Sequence, residues 1–235
     1  MNKELTEARL NDLADFEKNL GYEFHNKDLL DTALTHSSYA NEKGHGYKYN
    51  ERLEFLGDSV LGFVTAETFF VQFKDMPEGR LTKTRASLVC EDALKDFAKE
   101  VNLGQYLLLG KGEQKSGGRT RASILADAFE AVIAAIYLDG GLEPAKEFIL
   151  RFVLKAMETH TVSFKDYKTQ LQEVIQKNPE EKLCYVLVGE SGPDHDKRFE
   201  VEVHLNSNII GKGIGRTKKQ AEQEAAKEAL ELMGL

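Results

Sequence analysis

Two hydrophobic periodicities divide the chain. Up to about residue 155, apolar positions recur at helical spacing, in stretches near 9–20, 28–40, 50–73, 79–101, 123–138 and 143–157, and period-two alternation is nearly absent. Pro77 with Gly79, the run from Gly110 to Gly118, and Gly140, Gly141 with Pro144 mark the turns between them. METHTVSF, residues 157–164, has no periodicity and reads as a short linker. Beyond it the pattern changes. DYKTQLQEVIQK is helical; LCYVLVGE, RFEVEVHL and NIIGKGIG alternate apolar and polar residues; TKKQAEQEAAKEALELM is helical again. In that last segment Ala221, Ala225 and Ala229 recur every four residues, a smooth stripe that lets a helix lie close on a sheet. The prediction is an all-α domain over residues 1–156, a linker over 157–163, and a small α+β domain of order α-β-β-β-α over 164–235.

Chemistry concentrates on two of the predicted helices. In NERLEFLGDSVL, residues 50–61, Glu51, Glu54 and Asp58 are three and four residues apart, so they share one face, within an arc of about 60°. Leu53, Leu56, Val60, Phe63 and Val64 gather on the other side. Alone, that face reads as solvated acidic surface. The second helix changes this. SILADAFEAVIAAIYL, residues 123–138, has only Asp127 and Glu130 as charges, and a helix apolar on nearly every face is buried. Buried carboxylates need salt bridges or metal. If the two helices converge, five carboxylates require counter-charge, and all-oxygen ligation suits Mg²⁺ or Mn²⁺ rather than zinc or copper. Phe55 lies about 40° from Glu51 on the acidic face. It either packs on a neighbouring helix or anchors a partner subunit.

Composition bounds the rest. No run of 18 uncharged apolar residues occurs and the N-terminus is charged from the start, so neither a membrane span nor a signal peptide is indicated and the protein is expected in the cytoplasm. Cys90 and Cys184, far apart among apolar neighbours, read as buried thiols. The net charge of −8 is unusual for a nucleic-acid binder. Residues 1–164 carry 20 basic and 26 acidic side chains and residues 165–235 carry 11 and 13, so any such affinity must come from local clusters such as Arg216, Lys218 and Lys219. GKGEQKSGGRTR, residues 110–121, fails the phosphate-loop pattern. It reads either as a flexible basic loop near a nucleic-acid backbone or as an exposed connector.

NERLEFLGDSVL, preceded by ALTHSSYANE and followed by EGRLTKTRASLV, a Gly-rich stretch and SILADAFEA, resembles bacterial ribonuclease III, and the resemblance runs over essentially the whole chain. It implies a double-stranded RNA endonuclease in which Glu54, Asp58, Asp127 and Glu130 are the metal-binding and catalytic acids. Glu51 and Glu78 match acidic positions that assist. It implies Mg²⁺, a homodimer whose two acidic clusters lie along one valley, and products with 5′-phosphates, 3′-hydroxyls and short 3′ overhangs. Structured ribosomal precursors and messenger RNAs are the implied substrates. The C-terminal order, with GPDHDKRF and TKKQAEQEAA, resembles the double-stranded RNA-binding domain. The physics agrees: Lys218 and Lys219 open a helix whose N-terminus favours phosphate, His195 falls at a hairpin tip, and Thr169, Gln172, Glu173 and Gln176 share a helix face suited to a minor groove. A regulator that binds duplex RNA without cutting is the main rival, and the intact acidic set argues against it. A small-molecule phosphohydrolase is the other.

Overall fold

The computed structural model covers residues 5–44, 46–164, 167–176, 178, 180–193 and 196–235, with backbone only at 158–164; His195 lies outside the described residues. It divides into two compact units, Met1–His160 and Thr161–Leu235.

The first unit is helical. α1 (Glu7–Leu20) opens on Thr6, whose hydroxyl accepts the Arg9 amide, and closes at Gly21, whose left-handed backbone suits glycine. The apolar stretch 28–40 forms two helices, α2 (Lys27–Ala33) and α3 (Ser37–Lys43). Between them the chain is drawn out to pair with a later segment: the Leu108 amide donates to the Leu34 carbonyl and the His36 amide to the Leu108 carbonyl. α4 (Glu51–Gln72) follows, and the stretch 79–101 also divides, into α5 (Glu78–Leu88) and α6 (Glu91–Glu100). The glycine-rich run is not a flexible loop. It holds α8 (Lys111–Lys115) and a 3₁₀ turn (Gly118–Thr120), after the short α7 (Leu103–Tyr106). Arg119 donates to the carbonyls of Gly104, Gln105 and Leu107, so its charge fastens backbone and does not face a ligand.

α9 (Ala122–Gly140) is the axis of the core, packed on α4, α6 and α2, with Phe129 and Ala131 through Ile136 almost wholly buried. Phe97, Phe129, Phe148 and Phe152 form a ring-to-ring cluster with centroids 5.2–5.9 Å apart. Each fully buried ring contributes about 1.5–3 kcal/mol of transfer free energy. α10 (Leu142–Phe164) brings the last two rings and runs on through residues 157–163, where a linker was expected. Thr and Val there lower helix propensity by only a few tenths of a kcal/mol each, too little to stop a helix already propagating without Gly or Pro.

The second unit has the predicted order: α11 (Tyr167–Ile175), β1 (Leu183–Ser191), β2 (Arg198–Leu205), β3 (Asn208–Gly215) and α12 (Lys218–Leu232), with an antiparallel sheet β1-β2-β3. Leu171, Ile175, Val201 and Val203 meet the alanine stripe of α12 in its core. The stripe lies directly on β3: a Cβ at Gly211 or Gly213 would sit 2.3 or 2.2 Å from a carbonyl oxygen of α12.

Three burial expectations fail. Phe63 is 54% exposed although it shares the apolar side of α4. Both cysteines are exposed. Cys90 precedes α6 at a helix junction, and Cys184 alternates with Leu183 and Tyr185, which pack on the core, so its thiol falls on the outer face of the sheet.

Candidate metal centre and nucleic-acid face

The acidic centre is built where α4 and α9 come together. α4 begins at the buried Asn50, whose amide donates to the Thr35 carbonyl at 2.9 Å and whose carbonyl accepts the Leu53 and Glu54 amides. Two turns on, Gly57 faces the α9 backbone so closely that a Cβ would stand 1.9 Å from the Glu130 carbonyl oxygen. This approach brings Glu54 of α4 against Asp127 and Glu130 of α9, one carboxylate oxygen of each lying within 4.8 Å of the others.

All three carboxylates are half-buried, and none forms an ion pair among the described residues. Burial first, then the charges of Asp58, Glu54 and Asp127, push the Glu130 carboxyl up to about 8. Burial and the Asp127, Glu51 and Asp58 charges raise Glu54. Asp127 is raised by burial, Glu91 and Glu51, with His36 opposing. A group of half-buried acids that resist ionisation is one short of positive charge. The donors are all oxygen, with no thiol or imidazole among the three, so the residues fit a hard divalent cation, Mg²⁺ or Mn²⁺.

The other expected acids take separate places. Asp58 and Glu51 are exposed on α4, outside the group of three but close enough for their charge to act on it. Glu78 opens α5, is exposed, and accepts a hydrogen bond from the Thr82 hydroxyl at 3.0 Å; it is not among the charges acting on Glu54, Asp127 or Glu130. Glu91 and His36 act on Asp127 and were not foreseen. Glu91 reads as an ordinary acid in the first turn of α6, and the His36 ring, bonded to the Ser38 hydroxyl at 2.8 Å, reads as a helix cap.

In the second unit α12 opens on Thr217, whose hydroxyl accepts the Gln220 amide, with Lys218 and Lys219 exposed in its first turn. Lys218 lies 3.5 Å from Glu190 and 5.6 Å over the Phe199 ring, and Arg216 lies 3.6 Å from Asp196. Such long, exposed pairs contribute little, and a phosphate can displace them. On α11 Gln172 and Glu173 are exposed and Thr169 is half-buried, Gln176 just beyond its end is exposed, and Lys168 is held by Glu222 and the Tyr185 ring.

Comparison with known proteins identifies the family of each unit. Residues 26–157 match the family model "Ribonuclease-III-like" and residues 167–233 match "Double-stranded RNA binding motif". Curated proteins named ribonuclease 3 are 50% identical in Clostridium tetani, over 94% of this chain and 95% of that one, and 45% identical in Listeria innocua, over 94% and 97%. The solved nuclease domain of ribonuclease III from Campylobacter jejuni superposes with a TM-score of 0.57 at 45% identity, over 61% of this chain and 96% of that one. With its acidic centre on a helical unit and a duplex-binding unit after it, the chain belongs to the ribonuclease III family, the endoribonucleases of double-stranded RNA.

Proposed function

We propose that the chain hydrolyses phosphodiester bonds of duplex RNA in a Mg²⁺-dependent reaction, with Mn²⁺ able to substitute, and leaves 5′-phosphates, 3′-hydroxyls and short 3′ overhangs. The observation that carries this reading is the group Glu54, Asp127 and Glu130, half-buried and in no ion pair among the described residues. These three and Asp58 would hold the metal, which when bound supplies an activated water and neutralises phosphoryl oxygens. Glu130, the acid raised furthest, would have to be ionised to hold the cation, so its own proton sets the charge of the site. Glu51, exposed beside Asp58 on α4, would assist by bridging to a ligand water or to RNA. Glu78 assists from α5. Residues 1–156 are the nuclease domain and 164–235 the binding domain; Thr169, Gln172 and Glu173 on α11, Gln176 just after it, Arg216, Lys218 and Lys219 by α12, and His195 hold the A-form backbone and minor groove over about 16 bp with little sequence reading.

The active form is a homodimer. Phe55 stands 78% exposed beside the acidic residues of α4, and Phe63 and Phe70 further along the same helix are 54% and 76% exposed. A row of bare aromatic rings is the pattern of a subunit interface. One structure of the Campylobacter jejuni nuclease domain is described by a region involved in dimer formation. Two centres in one dimer would each cut one strand. No described helix is long and apolar enough to cross a membrane; the proposed setting is the cytoplasm, acting on ribosomal precursors and structured messenger RNAs.

Incubation of the chain with a duplex of ~40 bp, room for two footprints of ~16 bp, tests the reaction. Short duplexes with 5′-phosphates in Mg²⁺ and intact substrate in EDTA are expected. Binding without cleavage in both would overturn the nuclease and leave a regulator.

A further inference from the structure

His36 caps α3, and that local task accounts for only one of its two ring nitrogens. The residues preferred at such a position are Asn, Asp, Ser and Thr, whose short side chains reach back to the helix amides. The His36 ring does the same with Nδ1, which accepts the Ser38 amide at 3.2 Å. A backbone amide can only donate, so Nδ1 is the unprotonated nitrogen and the hydrogen of the neutral ring sits on Nε2. The Ser38 hydroxyl adds a second hold. Its oxygen accepts the Gly110 amide at 2.9 Å, and its own hydrogen is directed to Nδ1, 2.8 Å away. Tautomer and ring are therefore fixed from one side, while Nε2–H, on the other, meets no hydrogen-bond acceptor among the described residues.

The backbone around His36 carries it to the acidic centre. Its amide donates to the Leu108 carbonyl and the Leu108 amide to the Leu34 carbonyl, so residues 34–36 are drawn out along Leu108. Thr35 turns its carbonyl the other way, where it accepts the Asn50 amide at 2.9 Å, and the Asn50 carbonyl accepts the Glu54 amide. His36 is thus the next residue to the contact on which α4 and Glu54 are seated. Asp127 lies within the field of the ring: Glu91 and Glu51 resist ionisation of that carboxyl, and His36 favours it.

We propose that His36 is a positioning residue of the metal centre, a tautomer-locked donor whose Nε2–H steadies the Asp127 carboxylate, directly or through one water, in the orientation that receives the cation. This rests on the Mg²⁺-dependent reading above. A carboxylate ligand left free to turn loses orientation, and removing the outer partner that holds a ligand costs about 10–100-fold in metal affinity. The cap explains Nδ1, which an Asn would serve as well; the locked second nitrogen is what an imidazole adds.

Two substitutions in the full chain separate this role from the cap. His36→Asn keeps an acceptor near the place of Nδ1 and is itself a favoured cap, but ends short of Nε2. His36→Gln sets an amide donor near the place of Nε2 and gives up the acceptor for the Ser38 amide. Mg²⁺ binding is read by titration calorimetry on RNA-free protein, and melting is followed in EDTA. His36→Asn is expected to melt with the parent yet bind Mg²⁺ about tenfold or more weakly, and His36→Gln to melt lower yet keep more of the Mg²⁺ affinity than the Asn variant. A residue that served only as a cap would give the reverse order, which overturns the proposal. Equal Mg²⁺ affinities in the parent and His36→Asn overturn it too and leave the metal centre standing, whereas a parent that binds no Mg²⁺ overturns the metal reading beneath it. Should His36→Asn lose its folded circular-dichroism signal, imidazole-nitrogen NMR of the parent at a pH of about 8, where an ordinary histidine is neutral, replaces it. A His36 hydrogen on Nε2 whose signal shifts on addition of Mg²⁺ supports the proposal, and a hydrogen on Nδ1 or a signal indifferent to Mg²⁺ overturns it.

Discussion

Glu130 holds the largest electrostatic cost at the acidic centre, and its sign has a measurable consequence. Its folded pKa is about 8 against an ordinary 4.5. Between those values the folded chain binds a proton that the unfolded chain has released, so the stability of metal-free protein falls as pH rises through that window. Glu130→Gln cannot ionise and escapes this loss. In EDTA at pH 8 it should melt higher than the parent, by on the order of 1–3 kcal/mol once partial exposure is allowed for, and the difference should vanish near pH 4.5. Added Mg²⁺ should raise the parent's Tm and leave the variant's unmoved. Calorimetry across pH checks this, and parallel pH profiles would contradict it. At this scale Asp127 and Glu130 stood out because charge in an apolar helix demands an explanation. Glu91 and His36 were not, since a first-turn glutamate and a capping histidine already have local reasons to be there. Cys184 misled because apolar sequence neighbours in a strand point to the opposite face from the residue between them, and Cys90 because it falls at a junction between helices, outside any apolar face.

The elements meet through Gly57. With a Cβ there placed 1.9 Å from the Glu130 carbonyl, Gly57→Ala must push α4 away from α9. Overpacking of this kind costs about 1–3 kcal/mol, and here the displacement opens the Glu54, Asp127 and Glu130 group. The variant should melt lower and show weaker Mg²⁺ stabilisation than the parent; an unchanged metal response by calorimetry would mean that the helix spacing does not set the site. Periodicity found the helices α4, α9 and α12 and all three strands, whose patterns are long and consistent. It ran α2 into α3 and α5 into α6, because a break made by a backbone bridge to Leu108 or by a bend at Cys90 leaves the apolar spacing almost intact. Nor did periodicity reveal α8, for a five-residue helix among glycines has too few positions to show a period.

At the scale of the molecule, the exposed rings of α4 make the oligomeric state a test of the proposed dimer. Phe55→Ala should move the sedimentation equilibrium toward monomer by about tenfold or more in Kd, the loss expected for an aromatic interface anchor of roughly 2 kcal/mol. A wild-type monomer at micromolar concentration would remove the dimer from the mechanism. The succession of two domains was readable from the change of period alone, whereas the extension of α10 to Phe164 was not, since weak propensity over eight residues looks the same in a linker and in the last turns of a long helix.

The seam between β3 and α12 carries a further consequence for the second unit. Glycine and alanine have no rotamers to immobilise, so closing that seam costs backbone freedom and almost no side-chain entropy. Longer side chains elsewhere can adjust to a small separation by changing rotamer, but here backbone rests on backbone and has no such slack. The helix and the strand therefore part together as one cooperative step, and the lysines that open α12 keep their spacing for as long as any of the seam is closed.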